Sequence, residues 1–393
     1  MACFKKNLSI LTLTAWLSLA FGCGERRAER AFAPAPLRYA ELLRLTDTLG
    51  CTFAEIADPW HEGRTMQRYC LVPQDADVPE EASGYVIVRT PLRRIASGTA
   101  LHAALLQELG AEDALAGLFD AEYAVGSALK QLIQTGRLKP AGNSMKPDAE
   151  LLHALHPDAL LLSPFENAGH GALTTLGVPI IECADYMETS PLGRAEWMRL
   201  YGRLAHRGAT ADSLFELVAQ RYEDCKRKAA ATAERPTALC DLPQGGTWFV
   251  PGGRSTMGRL FADAGICYLW KDNGDKGSLS LTFEGVFDRA RNADWWLIKQ
   301  GWSAPPSRKM LADEFPHAER FKAWREGHVL VCNTLATPYF EEVPFHPERL
   351  LQELAAIFHP TLRPEGFTPR YFYYLEKYAC KVNKYLLSLL SLL

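Results

Sequence analysis

Beyond residue 23 the chain has no apolar run that reaches the roughly 18 residues a membrane-spanning helix needs. The closing LLSLLSLL is apolar but far too short to cross. Charge of neither sign is in excess: 43 Lys and Arg stand against 46 Asp and Glu, a net charge of −3. That balance gives no basic footprint for nucleic acid. None of the ten cysteines falls in a C-x-x-C pair, so no zinc or redox motif is supported. There is no G-x-S-x-G elbow, no H-E-x-x-H and no Cys/His cluster. Gly252-Gly253-Arg254-Ser255 opens a helix as an anion-cradling loop would. It lacks the Walker Lys and the dinucleotide spacing, so no cofactor is expected.

The 393 residues, 48% of them hydrophobic, can bury one large core or two ordinary ones. Lys5 and Lys6 precede an apolar run from Leu8 to Phe21, and the small residues Ala20 and Gly22 flank Phe21 just before Cys23. This is the order of an export signal. It resembles a bacterial lipoprotein cleavage box with Cys23 as the lipidated first mature residue. Ala20 stands where Leu is commoner, which leaves an ordinary secretory signal as the alternative. Residues 1–23 are expected to be a lipoprotein signal peptide, and the mature chain a periplasmic protein tethered to a membrane by lipid. Cys183, Cys225, Cys240, Cys267 and Cys332 lie in apolar or strand-like surroundings and read as buried small hydrophobes. An oxidising compartment would let Cys51 and Cys70 pair where their segments lie side by side.

Residues 24–83 read as a linker and an N-terminal strand extension. Within it Cys51–Asp58 and Met66–Pro73 form strands around the turn 59–63. The longest uninterrupted helix signal is Ala209–Arg235, free of Gly and Pro and stopped by Pro236. Leu214, Val218, Tyr222 and Cys225 line one face of it. From Glu223 it turns polar all round, as a strut between two bodies would.

The chain on either side of that helix repeats an order of elements. A strand, a Gly turn and a helix appear as RRIASGTALHAALLQELG and again as FVPGGRSTMGRLFADAG. A carboxylate-opened helix and an apolar strand appear as DAELLHALHPDALLLS and TFEGVFDRARNADWWLI. A helix and strand appear as LTTLGVPIIEC and FKAWREGHVLVC. Strands alternating with helices imply mainly parallel sheets covered on both faces. The expected fold is α/β: two Rossmann-like lobes, residues 84–192 and 237–366, joined by a helical connector at 193–236. The ligand is expected in the cleft between the lobes. Residues 367–393 are read as a tail.

This organisation resembles the metal-chelate and vitamin B12 class of ABC-importer substrate-binding proteins over roughly residues 84–360. The resemblance rests on Arg94-Ile95-Ala96-Ser97, on Pro157-Asp158-Ala159-Leu160-Leu161 after Glu150, on Gly177-Val178-Pro179-Ile180 and on Pro251-Gly252-Gly253-Arg254-Ser255. Asp185-Tyr186, the run Pro191 to Trp197 and Gly246 to Val250 are similar to a lipoprotein subgroup of that family. The resemblance implies an ABC permease with its ATPase as partners and a ferric siderophore, haem or cobalamin as ligand. It also implies that Glu150 and Glu284, matched in the two helix-then-strand units, dock on permease arginines. Both would also be favoured as solvated carboxylates at helix N-termini.

Loops at the C-terminal ends of parallel strands should face the cleft. In the first lobe this nominates Ser97, Thr99, His102, Tyr123, Phe165 and His170. In the second it nominates Trp248, Phe249, Arg254, Trp302 and Tyr339. A large flat ligand needs aromatic walls and a few polar fixers, and Trp248, directly after a Gly-Gly turn, leads that set. His170, on a loop, is the histidine to expect beside iron or haem; His102, inside a helix, reads as a core or capping residue. Two other functions fit the same sequence. One is an exported α/β enzyme with His170 and nearby carboxylates in the cleft. The other is a surface lipoprotein that binds another protein.

Overall fold

The computed structural model describes residues 36–375. The signal segment, Cys23 and the tail from Cys380 lie outside the described residues.

Two five-stranded sheets carry the fold. In the first lobe the order is Ile180–Glu182, Ala159–Leu162, Ile95–Ser97, Leu115–Leu118 and Lys139–Pro140, all parallel. In the second, Cys267–Tyr268, Thr237–Cys240, Trp295–Gln300 and Val329–Asn333 run parallel, and Tyr373–Tyr374 closes the edge antiparallel. Strands Ile95–Ser97, Ala159–Leu162 and Val329–Asn333 are buried at every residue. Sheets covered by helices on both faces demand such unbroken apolar runs.

The second lobe is a looser copy than the sequence echo implies. Trp248–Pro251 was the expected counterpart of Ile95–Ser97, but it pairs antiparallel with Ser278–Leu281 in a separate ribbon. The true counterpart is Thr237–Cys240, an interior strand flanked by parallel neighbours on both sides, and residues 241–255 are inserted before the helix Thr256–Asp263. The Gly252-Gly253 turn is no anion cradle. Its donors are spent on carbonyls: Gly252 N–H on Gly277 at 2.7 Å, Arg254 N–H on Asp275 at 3.0 Å. A Cβ on Gly253 would come within 2.6 Å of three carbonyl oxygens of the 270–273 turn, which explains the glycine.

The connecting helix spans Gly208–Ala230, about 35 Å at 1.5 Å per residue. It ends before Pro236 because Arg235 folds back, donating to the carbonyls of Ala230 at 2.9 Å and Thr232 at 2.6 Å. It is not a bare strut. Ala211, Phe215, Val218, Ala219, Tyr222 and Ala229 are buried, and it packs on Met198–Leu204 and on the closing helix Pro347–Phe358. In its polar half, Lys226 and the Tyr222 hydroxyl both meet Asp263.

Each end of the described chain is clasped by a buried glutamate. Glu196 accepts the N–H groups of Arg38, Tyr39 and Ala40, and Glu353 those of Arg370, Tyr371 and Phe372. Tyr371, Phe372 and Leu375 are buried, so this aromatic stretch belongs to the second lobe and not to a tail. The N-terminal extension is a four-stranded sheet: Leu43–Thr48, Cys51–Ala57 and Thr65–Pro73 antiparallel, and Val86–Thr90 parallel to the third. Cys51 and Cys70 lie on adjacent strands, yet Phe53 stands opposite Cys70. The two cysteines are therefore diagonal neighbours on one face of the pair, and their thiols meet, which together with burial lifts the Cys70 thiol to about 11. Both thiols are free and buried.

Candidate ligand-binding cleft

The strand Ile95–Ser97 ends at Gly98, and Thr99 caps the helix Ala100–Glu108 by accepting the His102 N–H. That cap aims the His102 ring inward, where Nδ1 meets Thr99 Oγ1 at 2.8 Å and Nε2 meets Asp185 Oδ1 at 2.8 Å. Asp185 follows the strand Ile180–Glu182. It also accepts from Tyr201 Oη at 2.9 Å and from Arg194 Nε at 3.1 Å. His102 and Asp185 are 2% and 1% exposed. Burial raises the Asp185 carboxyl, but His102, Arg194 and Tyr201 together hold it below its ordinary range. Burial pulls the His102 imidazole down, and the neighbouring Cys183 and Asp185 outweigh it, lifting it to about 10.

This Thr–His–Asp chain has the outline of a nucleophilic triad, with its imidazole lifted well above the near-neutral range of a general base. The Thr99 hydroxyl that meets Nδ1 also accepts the His102 backbone N–H.

Above this cluster lies a cavity of about 430 Å³ between the lobes, within the range of small-molecule sites. The first lobe contributes Thr99, Tyr123, Ser163 and Tyr186, and the connector Arg194. The second lobe contributes Leu335, Thr337, Phe340 and Glu341 from the segment after Val329–Asn333. Glu341 reaches across and accepts the N–H groups of Val125 and Gly126 at 2.5 and 2.8 Å. It thereby caps the helix Ser127–Gln134 of the opposite lobe. Behind the cavity a groove of about 650 Å³ carries a second cross-lobe contact, Glu108 with His346 at 2.7 Å.

Thr99, His102 and Tyr123 are where strand-end reasoning places them. Phe165 is 60% exposed, its ring 6.4 Å from that of Tyr186. Ser97 is buried, its hydroxyl on the Thr99 carbonyl. His170 is bonded to Glu182 at 2.9 Å and does not line the cavity. Trp248 is fully buried, its indole N–H on the Cys240 carbonyl and its ring among Trp296, Phe315 and Phe321. The cause is strand parity: Trp248 and Val250 point inward, and Phe249 outward at 44% exposure. Trp302 is buried with its backbone clasped by Asn333. Tyr339 is buried with its hydroxyl on Met257 Sδ, while its neighbour Phe340 is 58% exposed. Arg254 is exposed on the inserted loop.

Tyr186, Arg194, Leu335, Phe340 and Glu341 were not nominated. Tyr186, Leu335 and Phe340 follow parallel strands, so the strand-end rule covers them. Arg194 and Glu341 sit on helices, and no local signal marks either.

The periplasmic binding protein family model matches residues 95–334, more than half of the chain. The chain belongs to the periplasmic binding protein family. An uncharacterised lipoprotein of Methanocaldococcus jannaschii is 23% identical over 339 residues, covering 81% of this chain and 78% of its own. A second lipoprotein of that organism is 24% identical over 357 residues, 86% of this chain and 87% of its own. Among solved structures, a periplasmic haem-binding protein from Pseudomonas aeruginosa aligns with TM-score 0.53 at 21% identity, over 71% of this chain and 96% of its own. A periplasmic binding protein from Veillonella parvula aligns with TM-score 0.58 at 16% identity, over 79% and 98%. At these identities the structural likeness is one of fold. The N-terminal sheet precedes the residues this periplasmic binding protein shares with the family model.

Proposed function

We propose that this periplasmic binding protein is the receptor of an ABC importer, capturing a ferric siderophore, haem or cobalamin and delivering it to the permease. The reading places it outside the inner membrane, held by lipid at Cys23. The observation that carries it is the cleft itself: Tyr123, Tyr186, Leu335 and Phe340 present apolar and aromatic surface from both lobes around a few polar groups. Such walls suit a large flat or aryl ligand. The name of the haem-binding neighbour from Pseudomonas aeruginosa points the same way. The ligand residues of this reading are Thr99, Tyr123, Phe165, Tyr186, Arg194 and Phe340. Glu150 and Glu284 are its permease contacts; each is exposed at the second residue of a helix that leads into a parallel strand.

Native mass spectrometry of the chain mixed with haem, cobalamin and several ferric siderophores tests the proposal. One retained adduct supports it and gives the ligand by mass. No adduct with any of them overturns the importer reading.

A further inference from the structure

The carboxylate at the floor of the cleft is shared by two basic side chains and a phenol. Asp185 accepts from His102 and Arg194 as well as from Tyr201. His102 Nε2 lies 2.8 Å from Asp185 Oδ1 and its Nδ1 2.8 Å from Thr99 Oγ1, so its ring is held between the carboxylate and a hydroxyl. The cavity's other carboxylate, Glu341, is turned to the backbone N–H groups that open the helix Ser127–Gln134. The guanidinium charge is therefore met by one shared carboxylate, through one nitrogen. It is displayed by Arg194, which lines the cavity with its side chain 23% exposed. Among the described residues the hydrogen bonds of Arg194 engage only Nε, leaving both terminal amino groups.

We propose that Arg194 is the docking point for an anionic group of the ligand, a carboxylate or an equivalent oxyanion. This rests on the cleft being the ligand site and adds the charge its ligand must carry. A guanidinium fixed through Nε presents its two Nη atoms as a fork that matches two oxygens. Asp185 sets that fork before the ligand arrives, so little rotamer entropy is lost on binding. The apolar body of the ligand then lies against Tyr123, Tyr186 and Phe340. A neutral analogue of the same shape leaves a half-buried cation unpaired, which is the condition for strong discrimination.

The test uses probes that do not presuppose the natural ligand. 2-Naphthoate and its neutral isostere 2-naphthamide are titrated to millimolar concentration against the full chain by ligand-observed NMR. Arg194→Gln and Arg194→Lys are run alongside. The expected result is naphthoate binding at least tenfold tighter than naphthamide. Arg194→Gln removes that advantage, and Arg194→Lys keeps part of it. The wild-type comparison of acid with amide needs no variant, so a misfolded substitution cannot obscure it. Equal binding of the two probes, no binding of naphthoate, or naphthoate binding indifferent to Arg194→Gln overturns the proposal. Arg194-dependent naphthoate binding in a protein that takes up no haem, cobalamin or ferric siderophore leaves this proposal standing and removes the importer reading. Chelate binding unaffected by Arg194→Gln does the reverse.

Discussion

Asp158 and Asp294 perform the same task in the two lobes. Each precedes a parallel strand and reaches sideways to the foot of the neighbouring parallel strand. Asp158 accepts the N–H groups of Arg93 at 2.7 Å and Arg94 at 3.1 Å. Asp294 accepts the N–H and hydroxyl of Thr237 at 2.8 and 2.7 Å. The registers agree, with Ala159 opposite Ile95 and Trp295 opposite Ala238. Two chemically different sequences have kept one device for starting a parallel pair.

Removing the device should cost stability without touching the cleft. Asp294→Ala orphans the Thr237 donors and the Lys322 ammonium at 2.7 Å, and is expected to destabilise by about 1–3 kcal/mol. Burial raises the Asp294 carboxyl, but Lys322 and Thr237 outweigh it and hold it below its usual range. A depressed carboxyl stabilises the fold above its unfolded pKa, and that contribution is lost as pH falls through the folded value. Urea unfolding should therefore show the wild type losing more stability on acidification than Asp294→Asn. Parallel losses would exclude the role.

Glu353 has the opposite sign. Burial pushes its carboxyl up from 4.5 to about 7, against the pull of the Phe372, Tyr371 and Arg370 N–H groups and the Arg370 charge. Between those two values the folded protein holds a proton that the unfolded chain releases. Stability from this group is complete below the unfolded value and falls as pH rises toward 7, by about 3 kcal/mol over the window. Glu353→Gln cannot titrate. The difference between its stability and that of the wild type should change by this amount from acid to neutral pH, and a pH-independent difference would show that Glu353 is not protonated in the fold.

The cross-lobe bond from Glu341 to Val125 and Gly126 should limit how far the cleft opens. Two charge-assisted hydrogen bonds at a helix N-terminus are worth about 2–4 kcal/mol together. Nitroxide labels replacing the exposed Met145 in the first lobe and Lys309 in the second report the separation of the lobes. The wild type is expected to give one narrow distance distribution, since the connecting helix is packed along both neighbouring helices. Glu341→Ala should broaden it, and Glu341→Gln, which keeps one acceptor, should broaden it less. An unchanged distribution in Glu341→Ala would assign the restraint to the connector and the Glu108–His346 contact.

The fold was legible because its signals are local and repeated. Thr99 and Gly110 bracket the first helix, Asp158 and Asp294 stand before buried apolar strands, and the Gly-free and Pro-free run after Gly208 is helical as far as Ala230, five residues short of the expected end. The cleft was legible only in the half where strand and loop follow each other directly, at Thr99, His102 and Tyr123. In the second lobe the repeat misled, because the insertion at 241–255 detaches Trp248 from the main sheet and parity turns it into the core. Tyr339 and Phe340 differ by one position, and a reading of composition cannot say which ring faces the ligand. Glu341 depends on contacts more than two hundred residues away, which no window along the chain contains, and Arg194 on a contact nine residues back, across the turn that precedes its helix.

Glu150 and Glu284 carry the last prediction, because their two roles separate in experiment. Each is the second residue of its helix, behind a cap, Asp148 or Thr282, that accepts the first free N–H groups. The caps remain when either glutamate is replaced. Glu150→Ala and Glu284→Ala should therefore shift stability by no more than about 1 kcal/mol, the size of a carboxylate's interaction with the helix dipole. A charge-assisted pair with a permease arginine is worth more, about 1.5–3 kcal/mol. Each single variant should weaken binding to the cognate permease in lipid nanodiscs by about tenfold or more. The double variant should weaken it by roughly the product, because the two sites lie on separate lobes. Ligand affinity in the cleft should not change in any of them. Undiminished permease binding in the double variant would leave both glutamates as helix-terminal charges and move the docking surface elsewhere on the protein.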